Sequence, residues 1–223
     1  VHFEGVTAGL DEQAATGMKR FQAGHRSKFL ARWHDVIASH GTADNDLELE
    51  KERWAHRRVL VVDIYMLTPD RESGSLRMLN FMSILQDLGC KVTFAATNLE
   101  SPEPYLSALQ QRGVEVLYRP YIRSVAKHLR ACGKRYDLVI LSRLDTGMRL
   151  MGAAQRYCPQ ACVVYDTVDL HFLREQRLAD LRGDAGTRAW AERREREELA
   201  VIGDADVTLV VSHVEKALLS SKL

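Results

Sequence analysis

The sequence predicts an α/β protein whose centre is a doubly wound, mostly parallel sheet of about six strands, with an N-terminal helical extension. Three observations carry this expectation. From Arg57 onward, short β-branched runs alternate with amphipathic stretches, the pattern of successive βα units. The first run, Val59, Leu60, Val61, Val62 and Ile64, is nearly unbroken, as in a parallel strand covered on both faces. The loop that follows it, TPDRESGSLR, is polar and holds one glycine before an amphipathic helix, the way such a domain opens when a cleft lies at the carboxyl end of its first strand.

The elements follow in order. A first strand spans Val59–Tyr65. Leu76, Leu79, Met82 and Leu85 then recur at helical spacing, which predicts a helix over Ser75–Leu88. Ser73 or Ser75 suits its N-cap, and Gly89 suits a left-handed C-cap. Further strands are expected over Lys91–Ala96, Glu115–Tyr118, Leu138–Ser142, Cys162–Tyr165 and Val207–Val211. Helices are expected over Glu103–Arg112, Ile122–Cys132 and Thr146–Tyr157, with a long one from about Leu170 to Ile202 and a last one from near His213. Within the long helix, WAERREREELAVIGDAD alternates charge at helical spacing and reads as a solvated face. Ser212 with Glu215 has the spacing of a capping box.

Residues 1–56 behave differently. VHFEGVTAG reads as extended, and Ala14 to His40 as helix with Met18, Phe21, Phe29, Trp33, Val36 and Ile37 as apolar positions. GTADNDLELEKER is a charged connector. The expected division is therefore 1–40 as the tail of a preceding domain or a helical extension, 41–56 as a linker, and 57–223 as the α/β domain.

Composition narrows the function classes. The chain has 223 residues, a formal net charge of +1 and 46% apolar residues, which suits one full core. A near-neutral charge argues against nucleic acid as the main partner. No apolar run nears the ~20 residues needed to span a bilayer, and the chain starts at Val1 without methionine, which reads as a piece of a longer protein. Cys90, Cys132, Cys158 and Cys162 are scattered with no CxxC pair, so no zinc site is expected. They read as buried reduced thiols of a cytoplasmic protein.

The candidate chemistry lies on the loops after the strands. The first loop carries Asp63, Thr68, Pro69, Asp70, Arg71, Glu72, Ser73, Gly74, Ser75 and Arg77, and the helix start there offers backbone N–H groups and a positive dipole end to a phosphate or a sugar hydroxyl. The alternative is a solvated loop with a helix cap. The fourth strand ends in LSRLDTG, which puts Ser142, Arg143 and Asp145 at the same edge; Arg143 would hold an anion or form a structural salt bridge. The fifth leads into YDTVDLHFLRE, which crowds Asp166, Asp169 and His171 at the end of a buried strand. A histidine beside carboxylates acts as general base or orients a hydroxyl. Here too a plainer role is open, since Asp169 suits an N-cap.

Two other classes fit less well. A nicotinamide-dependent oxidoreductase needs G-x-G-x-x-G after the first strand, where this chain has SGSLR. A phosphoreceiver needs an aspartate ending its third strand, which here ends in YRPY. A non-catalytic docking or scaffold domain remains the alternative function.

VLVVDIYMLTPDRESGSLRMLNFMSILQDLGCKVTF together with YDTVDLHFLREQR resembles the N-terminal domain of family-four-like glycosyltransferases of the two-Rossmann, B-type fold, as found in bacterial enzymes that assemble surface polysaccharides such as O-antigen. The resemblance covers residues 57–223. It implies a hexosyl transfer from a nucleotide sugar to a growing glycan, with this domain as the acceptor side of the cleft. On that basis Asp166, Asp169 and His171 would line the acceptor side, while Gly74, Ser75, Arg77 and Arg143 would lie near the phosphate or acceptor. It also implies that the donor is held mainly by a C-terminal Rossmann domain outside this chain, so that the piece alone binds no cofactor and is inactive. The protein would be cytoplasmic, with its parent at the inner face of the membrane. VHFEGVTAG followed by GMKRFQAGHRSKFLARWHDVI is similar to the end of a family-two, A-type glycosyltransferase domain, in which His2 would match a metal-binding histidine. With the upstream acidic motif absent from this chain, His2 is a relic ligand and no metal is expected.

Overall fold

The computed structural model describes residues 20–41, 47–183 and 185–222. The chain divides into two compact units, Val1–Arg53 and Trp54–Leu223.

In the first unit the described residues form α1 (Arg20–Arg32), α2 (His34–Ala38) and α3 (Leu47–Glu50). The single helix expected from Ala14 to His40 is interrupted at Trp33, whose φ of −109° is not helical. Phe21, Phe29, Trp33 and Val36 are exposed. The connector is not wholly irregular: α3 lies within it, and its Glu50 accepts the Gly41 N–H at 2.9 Å. Residues 1–19, including His2 and Met18, lie outside the described part.

The second unit is a six-stranded sheet: β1 (Arg57–Asp63), β2 (Cys90–Ala96), β3 (Glu115–Leu117), β4 (Leu138–Ser142), β5 (Cys162–Asp166) and β6 (Val207–Leu209). Every pairing is parallel, and the order is β3-β2-β1-β4-β5-β6. That is the doubly wound, Rossmann-like order, whose direction of winding reverses between β1 and β4. The connecting helices are α4 (Ser73–Asp87), α5 (Tyr105–Gln111), α6 (Val125–Cys132), α7 (Leu144–Tyr157), α8 (His171–Arg182), α9 (Ala185–Asp204) and α10 (His213–Ser220).

The alternation of side chains along β1 builds the two cores. Val59 and Val61 join Met78, Leu79 and Met82 of α4 and Leu106 and Leu109 of α5. Leu60 and Val62 join Leu129 of α6, Leu150, Met151 and Ala154 of α7, and Val201 and Ile202 of α9. Helices therefore cover both faces, which is why the strand reads as an unbroken apolar run.

Several local expectations change. The N-cap of α4 is Glu72 and not a serine: its backbone is extended, and the Ser75 hydroxyl donates to its carboxylate at 2.8 Å. The long helix from Leu170 to Ile202 is two helices. Gly183 takes a left-handed φ of +70° and closes α8 with an N–H bond to Ala179 O at 2.8 Å, after which α9 packs back along α8. Only two of the cysteines are buried, Cys90 and Cys158; Cys162 is exposed because it opens β5 at the uncovered amino edge of the sheet. Gly89 does adopt the left-handed conformation, with φ +77°. Ser212 does cap α10, accepting the Glu215 N–H at 3.2 Å while Glu215 accepts the Val211 N–H at 3.0 Å. No described helix is long and apolar enough to cross a membrane.

Candidate functional site

By the general rule for sheets of this order, the reversal between β1 and β4 marks the ligand crevice, at the carboxyl ends of β1, β4 and β5. Asp63 ends β1, Ser142 ends β4 and Asp166 ends β5, all three nearly or fully buried. The register brings the last two side by side, because Ser142 pairs with Asp166.

Two arginines reach into this row of acids. Arg77, one turn into α4, donates through Nη1 to both oxygens of Asp166, at 2.7 and 3.0 Å, and lies over the ring of Phe81. Ser142 Oγ donates to Asp166 Oδ2 at 3.2 Å. Arg143 donates through Nε to Asp63 Oδ1 at 2.9 Å and through Nη2 to Glu72 Oε1. Its backbone has φ +73° and ψ 150°, a region that side chains rarely adopt. Burial pushes the Asp63 carboxyl up to about 6, outweighing the Arg143 charge and the Ile64 N–H that favour its ionised form. Burial also acts to raise Glu72, but its bonds from Arg143 and Ser75 prevail and hold it below the usual carboxylate range. For Arg143, burial disfavours the cation, yet Asp63 and Glu72 more than compensate and its pKa is raised.

Gly74 has a packing reason to be glycine. A Cβ there would lie 3.0 Å from Val168 Cγ1 and 3.1 Å from Arg143 Nη2. Val168 itself has φ +62°, rare for a β-branched residue. The space that the sequence offered to a ligand beside Gly74 is held by the chain's own β5 loop. Ser75 is buried and committed to Glu72.

Beyond Val168 the chain turns into α8. Asp169 does not cap that helix; Leu170 is the N-cap and supplies no side-chain bond. Asp169 instead meets Arg174 Nη1 at 2.8 Å and His171 Nε2 at 3.6 Å, and its side chain is 41% exposed. His171 is buried, with Arg174 Nη2 3.1 Å from Nδ1. Burial holds its pKa below the ordinary 6.5, with Arg174 and Arg194 reinforcing and Asp169 opposing. Of the seven expected site residues, Gly74, Ser75, Arg77, Arg143 and Asp166 form one network, and Asp169 with His171 forms a second beside it, joined through the β5 loop.

No protein-family model and no curated protein matches the sequence. Among solved structures, the chain is similar to a protein of unknown function from Vibrio parahaemolyticus, at 16% identity and a TM-score of 0.37, over 70% of this chain and 94% of that one. The topology stands on the observed strand order.

Two residues expected at the strand ends gain partners that the sequence does not show, and a third residue that supports the site was not expected there. Glu72 is a partner of Arg143, and Ser142 of Asp166. Glu198, placed on a solvated helix face by its charged neighbours, is fully buried. Its carboxylate accepts the Tyr165 hydroxyl at 2.9 Å and the Phe172 N–H at 2.8 Å. The signal for it was present: Glu198 lies at helical spacing from the buried Ala191, Val201 and Ile202. Among the described residues no group of His, Cys, Asp and Glu is arranged to hold a metal ion.

Proposed function

We propose that this chain is part of a glycosyltransferase that moves a sugar from a nucleotide-sugar donor to a growing surface polysaccharide, and that residues 57–223 supply the acceptor side of the cleft. One observation carries the reading. The two segments on which the resemblance rests meet in space: Arg77 of the first loop and helix binds Asp166 of the second, and Gly74 packs on Val168. They meet at the edge where a doubly wound sheet takes ligands.

The charge balance suits a sugar more than a diphosphate. The carboxylates of Asp63, Glu72, Asp166 and Asp169 outnumber Arg77, Arg143 and Arg174, and all three arginines are already paired. Hydroxyls of an acceptor donate well to such a row. The donor's diphosphate then falls to a further domain of the parent protein. Asp166 is committed to Arg77 and Ser142, so its role is to hold the crevice in shape. Asp169, half open to solvent, is the carboxylate best placed to accept an incoming hydroxyl, and His171 orients beside it. Holding the acceptor oxygen in line with the donor carbon is where such a site gains most of its rate.

The test is sugar transfer by the full-length parent protein, read as release of nucleoside diphosphate from a panel of nucleotide sugars with glycan acceptors. Asp169→Asn is expected to lower kcat roughly a hundredfold with the donor KM little changed. Absence of transfer from every donor, or full turnover in Asp169→Asn, would sink the reading.

The internal pairing of Arg77 and Arg143 favours a second reading, in which this edge is a rigid docking face for another domain. A docking domain leaves turnover indifferent to Asp169→Asn, so the same assay separates the two.

A further inference from the structure

We infer that Glu198 is a positioning residue: acting from α9, it supplies the N-terminal cap that α8 lacks and so fixes the turn that carries Asp169 and His171 beside the crevice. The inference rests on the cleft role given to those two residues above, and it extends the site to a helix that the sequence assigned to solvent.

The first turn of any helix leaves backbone N–H groups unpaired. Leu170, at the N-cap of α8, has no side chain to satisfy them. Glu198 does so across the tertiary structure, with one oxygen on the Phe172 N–H at 2.8 Å and the other on the Tyr165 hydroxyl at 2.9 Å. Tyr165 is itself fully buried and sits on β5 immediately before Asp166. One carboxylate thus ties the end of β5, the start of α8 and the middle of α9. Burial raises the pKa of Glu198, and the bonds from Phe172 and Tyr165 oppose that rise. The positive end of the α8 dipole favours an anion at this place.

What this fixes is the state of His171. Arginine only donates, so Nδ1 of His171, 3.1 Å from Arg174 Nη2, must be the accepting nitrogen. The ring proton of the neutral imidazole is then on Nε2. That nitrogen is buried and has no hydrogen bond, with Asp169 Oδ1 3.6 Å away. The arrangement holds a single N–H donor next to the exposed carboxylate. If the first turn of α8 were loosened, Arg174 and His171 would lose their fixed spacing, and both tautomers would become available.

The experiment is nitrogen-15 NMR of the histidine rings in the 223-residue chain, with a His171→Gln variant to assign the signal. Wild type is expected to show the well-separated pair of ring-nitrogen resonances of one tautomer, protonated at Nε2, and to titrate below 6.5. Glu198→Ala is expected to bring the two resonances together and move the titration up toward 6.5. Asp169, Arg174, Arg194 and Asp145, which act on His171, are unchanged by that substitution; the one charge removed is that of Glu198, whose carboxylate also accepts the His171 backbone N–H. Glu198→Gln should restore the wild-type signature, because its amide oxygen can accept from Phe172 while its amide nitrogen donates to the Tyr165 oxygen. Should the alanine variant fail to fold, Glu198→Met fills the same volume without an acceptor and gives the same readout. A fixed Nε2–H tautomer in the alanine or methionine variant overturns the inference, and so does a glutamine variant that loses it as fully as alanine. The readout is independent of sugar transfer. A parent protein that transfers no sugar while His171 responds as described removes the transferase reading and leaves this one standing.

Discussion

At the scale of single residues, Asp63 shows burial prevailing over an ion pair. Its folded pKa of about 6 lies above the ordinary 3.8 of an aspartate, so the folded chain holds the proton more tightly than the unfolded one. The stability this contributes is fully present below about pH 4 and is lost as pH rises through about 6. Relative to Asp63→Asn, the wild-type chain should lose up to ~3 kcal/mol between pH 4 and 7, read as diverging guanidinium denaturation midpoints; parallel midpoints would contradict the burial argument. Gly74 gives a second prediction. Because Val168 and Arg143 already sit 3.0 and 3.1 Å from the Cβ position, Gly74→Leu must spread the α4 start from the β5 loop. The expected cost is about 1–3 kcal/mol in urea unfolding, together with weaker transfer by the parent protein. That Gly74, Arg77 and Asp166 lie at the carboxyl edge of the sheet was legible because polar loops at strand ends stand out against apolar runs. Their pairing was not, since Arg77 and Asp166 are 89 residues apart in the chain. Nor was the left-handed backbone of Arg143, which nothing in its residue type announces.

At the scale of elements, the six strands were legible to within a few residues, because each is a short β-branched run between polar loops. Where reading by period failed was Gly183. A glycine inside a charged helical pattern is tolerated in many helices, and only the return of α9 against α8 demands a left-handed residue at Gly183. A Cβ at Gly183 would meet nothing within 4 Å, so the cost of Gly183→Ala is conformational alone. It should be about 1 kcal/mol, visible as a small drop in melting temperature without loss of the native spectrum. A neutral or stabilising result would mean that the turn re-forms elsewhere. Glu198 was hidden for a related reason: with seven charged residues among positions 192–198, the face that turns inward cannot be told from composition.

At the scale of the whole molecule, both cores draw their buried residues, among those described, from position 59 onward. A chain beginning at Trp54 should therefore melt in one transition within about 3 °C of the 223-residue chain, the shift that ~1 kcal/mol gives at this size. A larger loss would show that the first 53 residues contribute to the stability of the sheet. The alternation of strands and helices made the class legible. The strand order has a further consequence, one in time. β1 is central, yet its second neighbour, β4, begins at residue 138, long after β1 ends at residue 63. At roughly 5–20 residues per second, a ribosome takes about 4–15 s to cover that distance. In the last part of that interval, after β3 ends at residue 117, the β1–β2–β3 half is complete enough to pair, while one edge of its most apolar strand stands open. The nascent chain is most exposed to misassembly in that window, and a chaperone that shields strand edges would act there.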